Sequence, residues 1–169
     1  MKKIIKTLLP VFIISSLAVM ALSADFRGLN WGASMAEVDK TESVKPITDL
    51  KDMLIYNVSL YGFNASRVYK FTEGKLTSVL YLITAPGENE ITWFNYSLLK
   101  NDLLKKYGKP QADTFKVVNK EYENNKELAF KNKDFNEATL WILERTNITF
   151  LTNFDKEANF EINILYLAK

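Results

Sequence analysis

Short runs in which every second residue is apolar recur through this chain, and no other feature restricts its fold as much. Leu54, Tyr56, Val58 and Leu60 fall on one side of an extended run, and Phe160, Ile162, Ile164 and Tyr166 do the same near the end. In Ala65–Phe71, Ala65, Tyr69 and Phe71 share a side with Arg67, and Leu76–Ile83 is almost continuously apolar, as a central strand should be. Successive side chains of a strand point to opposite faces, so a period of two predicts strands with one buried face. Gly62 and Asn64 mark the first turn, and Glu73-Gly74 reads as a tight hairpin. Further strands are expected at Thr114–Val118, Leu128–Lys131, Ala138–Arg145, Ile148–Phe154 and Phe160–Leu167. Between them, Asn119–Glu127 reads as a long loop and Thr146-Asn147 as a tight turn.

Two segments carry helix signals instead. Ser34-Met35-Ala36-Glu37 has the spacing of a capping box, in which the Ser34 hydroxyl and the Glu37 carboxylate each serve the other's backbone N–H. That helix should run to about Glu42, with Pro46 keeping it from continuing. A longer helix is expected from Glu88 to Tyr107. Glu88 and Glu90 suit its positive end, Lys105 and Lys106 its negative end, and Tyr96, Leu99, Leu103 and Tyr107 line one side. Gly108 is placed to end it, with Pro110 just beyond. Trp31 and Trp93 are expected where helices meet the sheet. The order is helix, three strands, helix, about four strands, with Val79–Leu82 echoed by Ile164–Leu167. The expectation is an α+β fold: an antiparallel sheet of six to eight strands with two helices on one face, built from two tandem α-β-β-β units.

The start of the chain follows a different grammar. Lys2, Lys3 and Lys6 precede an apolar stretch, Leu8–Leu22, and the small residues Ala21, Ser23 and Ala24 follow. That order is read as a secretory signal peptide over residues 1–24, leaving one α+β domain at 25–169. The apolar stretch is shorter than the roughly 20 residues of a spanning helix and contains Pro10, so no stable membrane span is expected after cleavage. The expected location is the periplasm or the medium. A lipid-anchored form would need a cysteine at the cleavage point, and the sequence has none. A domain near 150 residues hides roughly 70% of its unfolded surface, so packing alone can hold it without disulfides.

Charge and composition then remove whole classes of function. Lys2, Lys3 and Lys6 belong to the leader, so residues 25–169 keep 19 of the 22 basic residues against all 20 acidic ones. A net charge of −1 offers no basic footprint for nucleic acid. Histidine and cysteine are both absent, which removes the commonest general base, the thiolate nucleophile and the usual zinc ligands. Three chemistries survive. Paired carboxylates would fall on Asp49 with Asp52 or Glu88 with Glu90, a Ser–Lys pair on Ser97 with Lys100, and a calcium loop on Asn132–Glu137. The carboxylates stand in polar surroundings that would not raise a pKa for acid catalysis. Residues three apart on a helix meet as a matter of course. Asn132–Glu137 lacks the central glycine and the distant bidentate Glu of an EF-hand, and reads as a turn.

One stretch is familiar. Phe26-Arg27-Gly28-Leu29-Asn30-Trp31-Gly32-Ala33-Ser34, followed by Glu37-Val38, resembles the opening of a group of small exported bacterial proteins of unknown function. Val68–Phe71, Gly74-Lys75-Leu76 and Lys106–Pro110 are similar to later parts of that group. The rhythm of helix and sheet also resembles, at the level of fold, the tandem α/β repeats of β-lactamase inhibitory protein and of small outer-membrane assembly lipoproteins. That resemblance implies a role in binding other proteins.

Aromatic residues agree with such a role. Tyr61, Phe63, Tyr122 and Phe135 lie in or beside expected turns, and Arg27 lies in the lead-in segment. Aromatic and Arg side chains at loops are favoured in recognition surfaces. These five are the candidate binding residues; no catalytic, metal or cofactor-binding residue is assigned, and no cofactor is expected. The reading is a non-enzymatic exported binding protein whose partner is another protein or an envelope ligand. The alternatives are a carboxylate-dependent hydrolase of envelope polymers and a carrier of an apolar ligand. A hydrolase needs two close, shielded carboxyls, a carrier a sizeable apolar cavity, and a binding protein an exposed aromatic patch.

Overall fold

The computed structural model describes residues 25–84, 92–154 and 160–169, without the side chains of Asp49, Asn153 and Phe154. The expected signal peptide lies outside the described residues, as do Glu88 and Glu90. In chain order the elements are helix α1 (Met35–Thr41), strands β1 (Thr48–Leu50), β2 (Met53–Leu60), β3 (Phe63–Thr72) and β4 (Lys75–Thr84), and helix α2 (Trp93–Tyr107). Then come β5 (Ala112–Val117), a 3-10 turn (Lys120–Tyr122), helix α3 (Lys126–Lys131), β6 (Phe135–Ile142), β7 (Thr146–Phe154) and β8 (Phe160–Ala168). The strands form one sheet in the order β1-β2-β3-β4-β8-β7-β6-β5. Every neighbouring pair is antiparallel. The fold is α+β with an antiparallel sheet, as the alternating pattern predicts.

Local chemistry explains the two leading hairpins. Their turns are Tyr61-Gly62 (φ 53° and 84°) and Glu73-Gly74 (φ 52° and 74°). Positive φ at both central positions is the two-residue turn whose twist matches paired strands. Tyr61 tolerates it because α2 holds it from two sides: its hydroxyl donates to Asp102, and its carbonyl accepts the Asn95 side-chain amide at 3.0 Å. Burial and the Asp102 carboxylate push the Tyr61 phenol up to about 12.

Four expectations need correction. Residues 119–131 hold the 3-10 turn and α3 in place of a loop and a strand, because the Asn125 side chain caps the helix by accepting from Leu128 N–H at 3.0 Å. Thr146 and Asn147 belong to β7, and the turn falls at 144–145, closed by Leu143 N–H to Thr146 O at 2.9 Å. α2 starts at Trp93, since Thr92 is extended and caps it through Asn95 N–H at 3.2 Å. The edge strand β1 is three residues long, too short for a periodic signal.

At α1 the expected capping box forms. Ser34 Oγ accepts from Glu37 N–H at 3.3 Å, and Glu37 Oε2 accepts from Ser34 N–H at 2.8 Å. Ser34→Ala is therefore expected to destabilise the domain by about 0.5–2 kcal/mol. An unchanged midpoint in chemical denaturation would refute this.

Alternate strand residues make the core. One row across the sheet runs Tyr56, Arg67, Tyr81, Ile164, Phe150, Thr139, and the next runs Leu54, Tyr69, Val79, Tyr166, Ile148, Trp141. All twelve are buried. The helices meet this set: Tyr56 donates to Asp39 of α1, Tyr96 of α2 reaches Glu137, and Phe130 of α3 lies 5.6 Å from Phe135. The lead-in segment docks here too. Phe26 contacts Tyr69, Tyr81 and Tyr166, while Trp31, half-buried, donates its indole N–H to Thr146 at 2.8 Å. Gly32 and Ala33 exchange backbone hydrogen bonds with Leu76 at 2.9 and 2.8 Å, which ties the segment to β4.

Candidate interaction surface

Of the five candidate binding residues, Tyr61 and Phe63 share the β2–β3 turn and the others lie on different segments. Arg27 is exposed at φ 47°, and its charge offsets part of the rise that burial imposes on the Tyr81 phenol. Tyr61 is half-buried against Asp102, and Tyr122 is half-buried in the 3-10 turn. Phe63 and Phe135 are core residues, 7% and 1% exposed, so neither is offered to a partner. Phe135 stacks on Phe115 at 4.6 Å, because each turn aromatic also begins a strand whose inward side needs filling. The expected patch of turn aromatics is therefore not assembled as one surface.

The chemistry candidates resolve differently. Ser97 is half-buried, while Lys100 of α2 is buried and engaged by acidic and hydroxyl groups that the sequence kept far apart. Its ammonium donates to Asp113 at 2.9 Å, to Glu137 at 2.8 Å and to Thr139. It also lies 5.0 Å from the Phe150 ring. Tyr96 donates to the same Glu137. Burial alone would raise the Asp113 carboxyl, yet the Thr139 hydroxyl and the Lys100 ammonium outweigh it and hold it below its ordinary value. A second buried pair, Arg67 with Glu42, includes the Tyr69 hydroxyl. In Asn132–Glu137, Asp134 accepts from Asn119 N–H at 2.7 Å, Asn132 bonds Leu128 O at 2.8 Å, Lys133 sits at φ 54°, and Phe135–Glu137 belong to β6. Among the described residues no group of three or more acidic side chains gathers to hold a metal ion.

On the other side of the sheet from Tyr56, Arg67 and Tyr81 stands a different surface. Thr48, Ile55, Val68, Leu80, Leu165, Thr149, Leu140 and Ala112 pair in sequence across all eight strands. None is charged, and all are half-buried or exposed. One flanking row holds Leu167, Asn147 and Ile142, and the other holds Leu82, Asn163 and Leu151. Ile142, Leu151 and Leu167 are 45%, 40% and 43% exposed. These positions alternate with core residues on strands that are apolar on both sides, so the period-of-two reading finds a core face but passes over this one. A cavity of about 420 Å³ opens beside it, lined by Asn57, Val58, Asn64, Ala65, Ser66 and Thr84. Chemically, the surface can bury apolar area against a flat or gently twisted partner. Uncharged amides and hydroxyls around it supply hydrogen bonds.

No family model, curated protein or solved structure matches this chain. Among the described residues no helix is long and apolar enough to cross a membrane.

Proposed function

We propose that this chain is a non-enzymatic exported protein that binds a partner through the side of its sheet opposite Tyr56, Arg67 and Tyr81. The row from Ile55 to Leu140 carries this reading, because monomeric proteins rarely leave contiguous apolar patches of more than a few hundred Å² in water. The state of the carboxylates supports binding over hydrolysis. Asp113 and Glu137 both sit on the Lys100 ammonium, and a general acid requires a carboxyl raised above its ordinary value, whereas Asp113 is lowered. The cavity beside the patch is lined mainly by amides and hydroxyls, which suits a polar guest better than an acyl chain. Export rests on the Lys-rich, then apolar, then small order of residues 1–24. We further read the domain as two helix-led halves, α1–β4 and α2–β8, whose helices form one layer. In support, the echoed segments Val79–Leu82 and Ile164–Leu167 fall on the central pair β4–β8.

The test is crosslinking in intact cells with Leu165→Asp and, separately, Leu80→Asp. Both side chains are half-buried on that side, so each variant should keep its circular dichroism and lose most of the crosslinked partner. Full recovery of the partner by both folded variants would refute this surface. Loss of the cellular phenotype in Asp113→Asn alone would favour the hydrolase.

A further inference from the structure

The composition of this surface also indicates its occupant. We propose that a second copy of this chain covers it, the two sheets packing face to face about a two-fold axis; this rests on the reading that the surface binds at all.

The area fits first. Eight strands at about 4.8 Å each, and three rows of outward side chains over about 20 Å, present about 770 Å². A stable interface of standard size takes about 800 Å² from each partner. Charge argues next. In the Ile55–Leu140 row and its two neighbours Lys70 is the one charged side chain. A surface with so few charges has little to distinguish a hydrophilic partner, and homodimer interfaces are the more apolar class. It is also its own complement, as a two-fold interface requires.

The register then selects an axis. A two-fold running along the strands between β4 and β8 sets Leu80 of one copy over Leu165 of the other, and β3 over β7. It brings Lys70 of one copy to the row position of Asn147 in the other. Asn147 Oδ1 is buried and has no hydrogen-bond partner among the described residues, so a turn of its amide would meet the incoming ammonium. The surface thus places its lone cation opposite an unused acceptor. Sheets so packed stand about 10 Å apart.

Two measurements on the purified protein decide it. Sedimentation at 1–100 µM should show a dimer, and Leu165→Asp should dissociate it at least about 100-fold more readily with unchanged circular dichroism. Because the sequence has no cysteine, a single Leu80→Cys gives one thiol per chain. The proposed axis holds the two Cα atoms about 11 Å apart with both thiols pointing into the gap, so a short bismaleimide should couple them in high yield. It should leave Thr114→Cys on β5 uncoupled, since that pair lies over 30 Å apart by the same spacings. A monomer throughout the range, or a dimer that survives Leu165→Asp, overturns the inference. A monomer whose Leu165→Asp variant still loses a different crosslinked protein in cells overturns only the second copy and leaves the binding surface standing.

Discussion

Lys100→Ala is expected to lower stability by about 3–5 kcal/mol, the usual cost of removing one partner of a buried ion pair. Lys100 is 8% exposed, and Glu137 is 6% exposed on β6 beneath it. Without the ammonium, the Glu137 carboxylate keeps the Tyr96 hydroxyl and Asp113 the Thr139 hydroxyl, and neither keeps a counter-charge among the described residues. The pair itself need not be favourable over an uncharged replacement. The double variant Lys100→Met with Glu137→Gln should recover most of the loss, because Gln still accepts from Tyr96 and no buried charge is stranded. The pH dependence has a defined sign. A carboxyl held below its ordinary value, as Asp113 is, contributes stability above the usual carboxylate range, and that contribution is lost as pH falls through the folded-state value. The deficit of Lys100→Ala should therefore narrow below about pH 4. Urea titrations at pH 7 and pH 3 measure it. A deficit of equal size at both would show that lost packing, and not stranded charge, is responsible.

Trp141→Ala should cost about 3–5 kcal/mol as well, for a different reason. Trp141 is fully buried on β6, beside Ile148 on β7 and 6.1 Å from the Tyr107 ring. Its indole N–H donates to Gly108 O at 2.9 Å, so truncation leaves a cavity and orphans the carbonyl that ends α2. Trp31→Ala should cost distinctly less, since Trp31 is half-buried and holds the lead-in segment by one side-chain hydrogen bond to Thr146. At roughly 2–4 °C per kcal/mol for a domain of this size, the Trp141 variant should melt on the order of 10 °C lower. Thermal melts followed by circular dichroism make the comparison. Equal losses for the two tryptophans would contradict this assignment of the core.

Much of the architecture was legible in local order. The alternation in Leu54–Leu60 and Phe160–Tyr166 set which residues share a side, and the Glu73-Gly74 and Ser34/Glu37 pairs acted through contacts only a few residues long. Such signals survive in a bare sequence because the interacting groups are neighbours in the chain. Residues 119–131 failed because a short helix capped by Asn125 buries only Ala129 and Phe130, too few apolar positions to show a helical period. The candidate surface was harder still. A period of two assigns Leu80 and Leu165 to one side and Tyr81 and Ile164 to the other. It does not say which side the helices take, because both are apolar.

By itself, then, the sequence determined the strand periods, the tight turns, the first helix cap and the absence of histidine and cysteine chemistry. The tertiary structure alone decided the long-range pairings. It chose Trp141 over Trp31 as the fully buried tryptophan, and it drew Phe63 and Phe135 inward from turns that could have displayed them. It also brought Lys100 to Glu137, 37 positions away, and Arg67 to Glu42, 25 away. The physical reason is that a buried charge is tolerable only beside its counter-charge. Its partner is set by how strands and helices stack in space, which no spacing along the chain records.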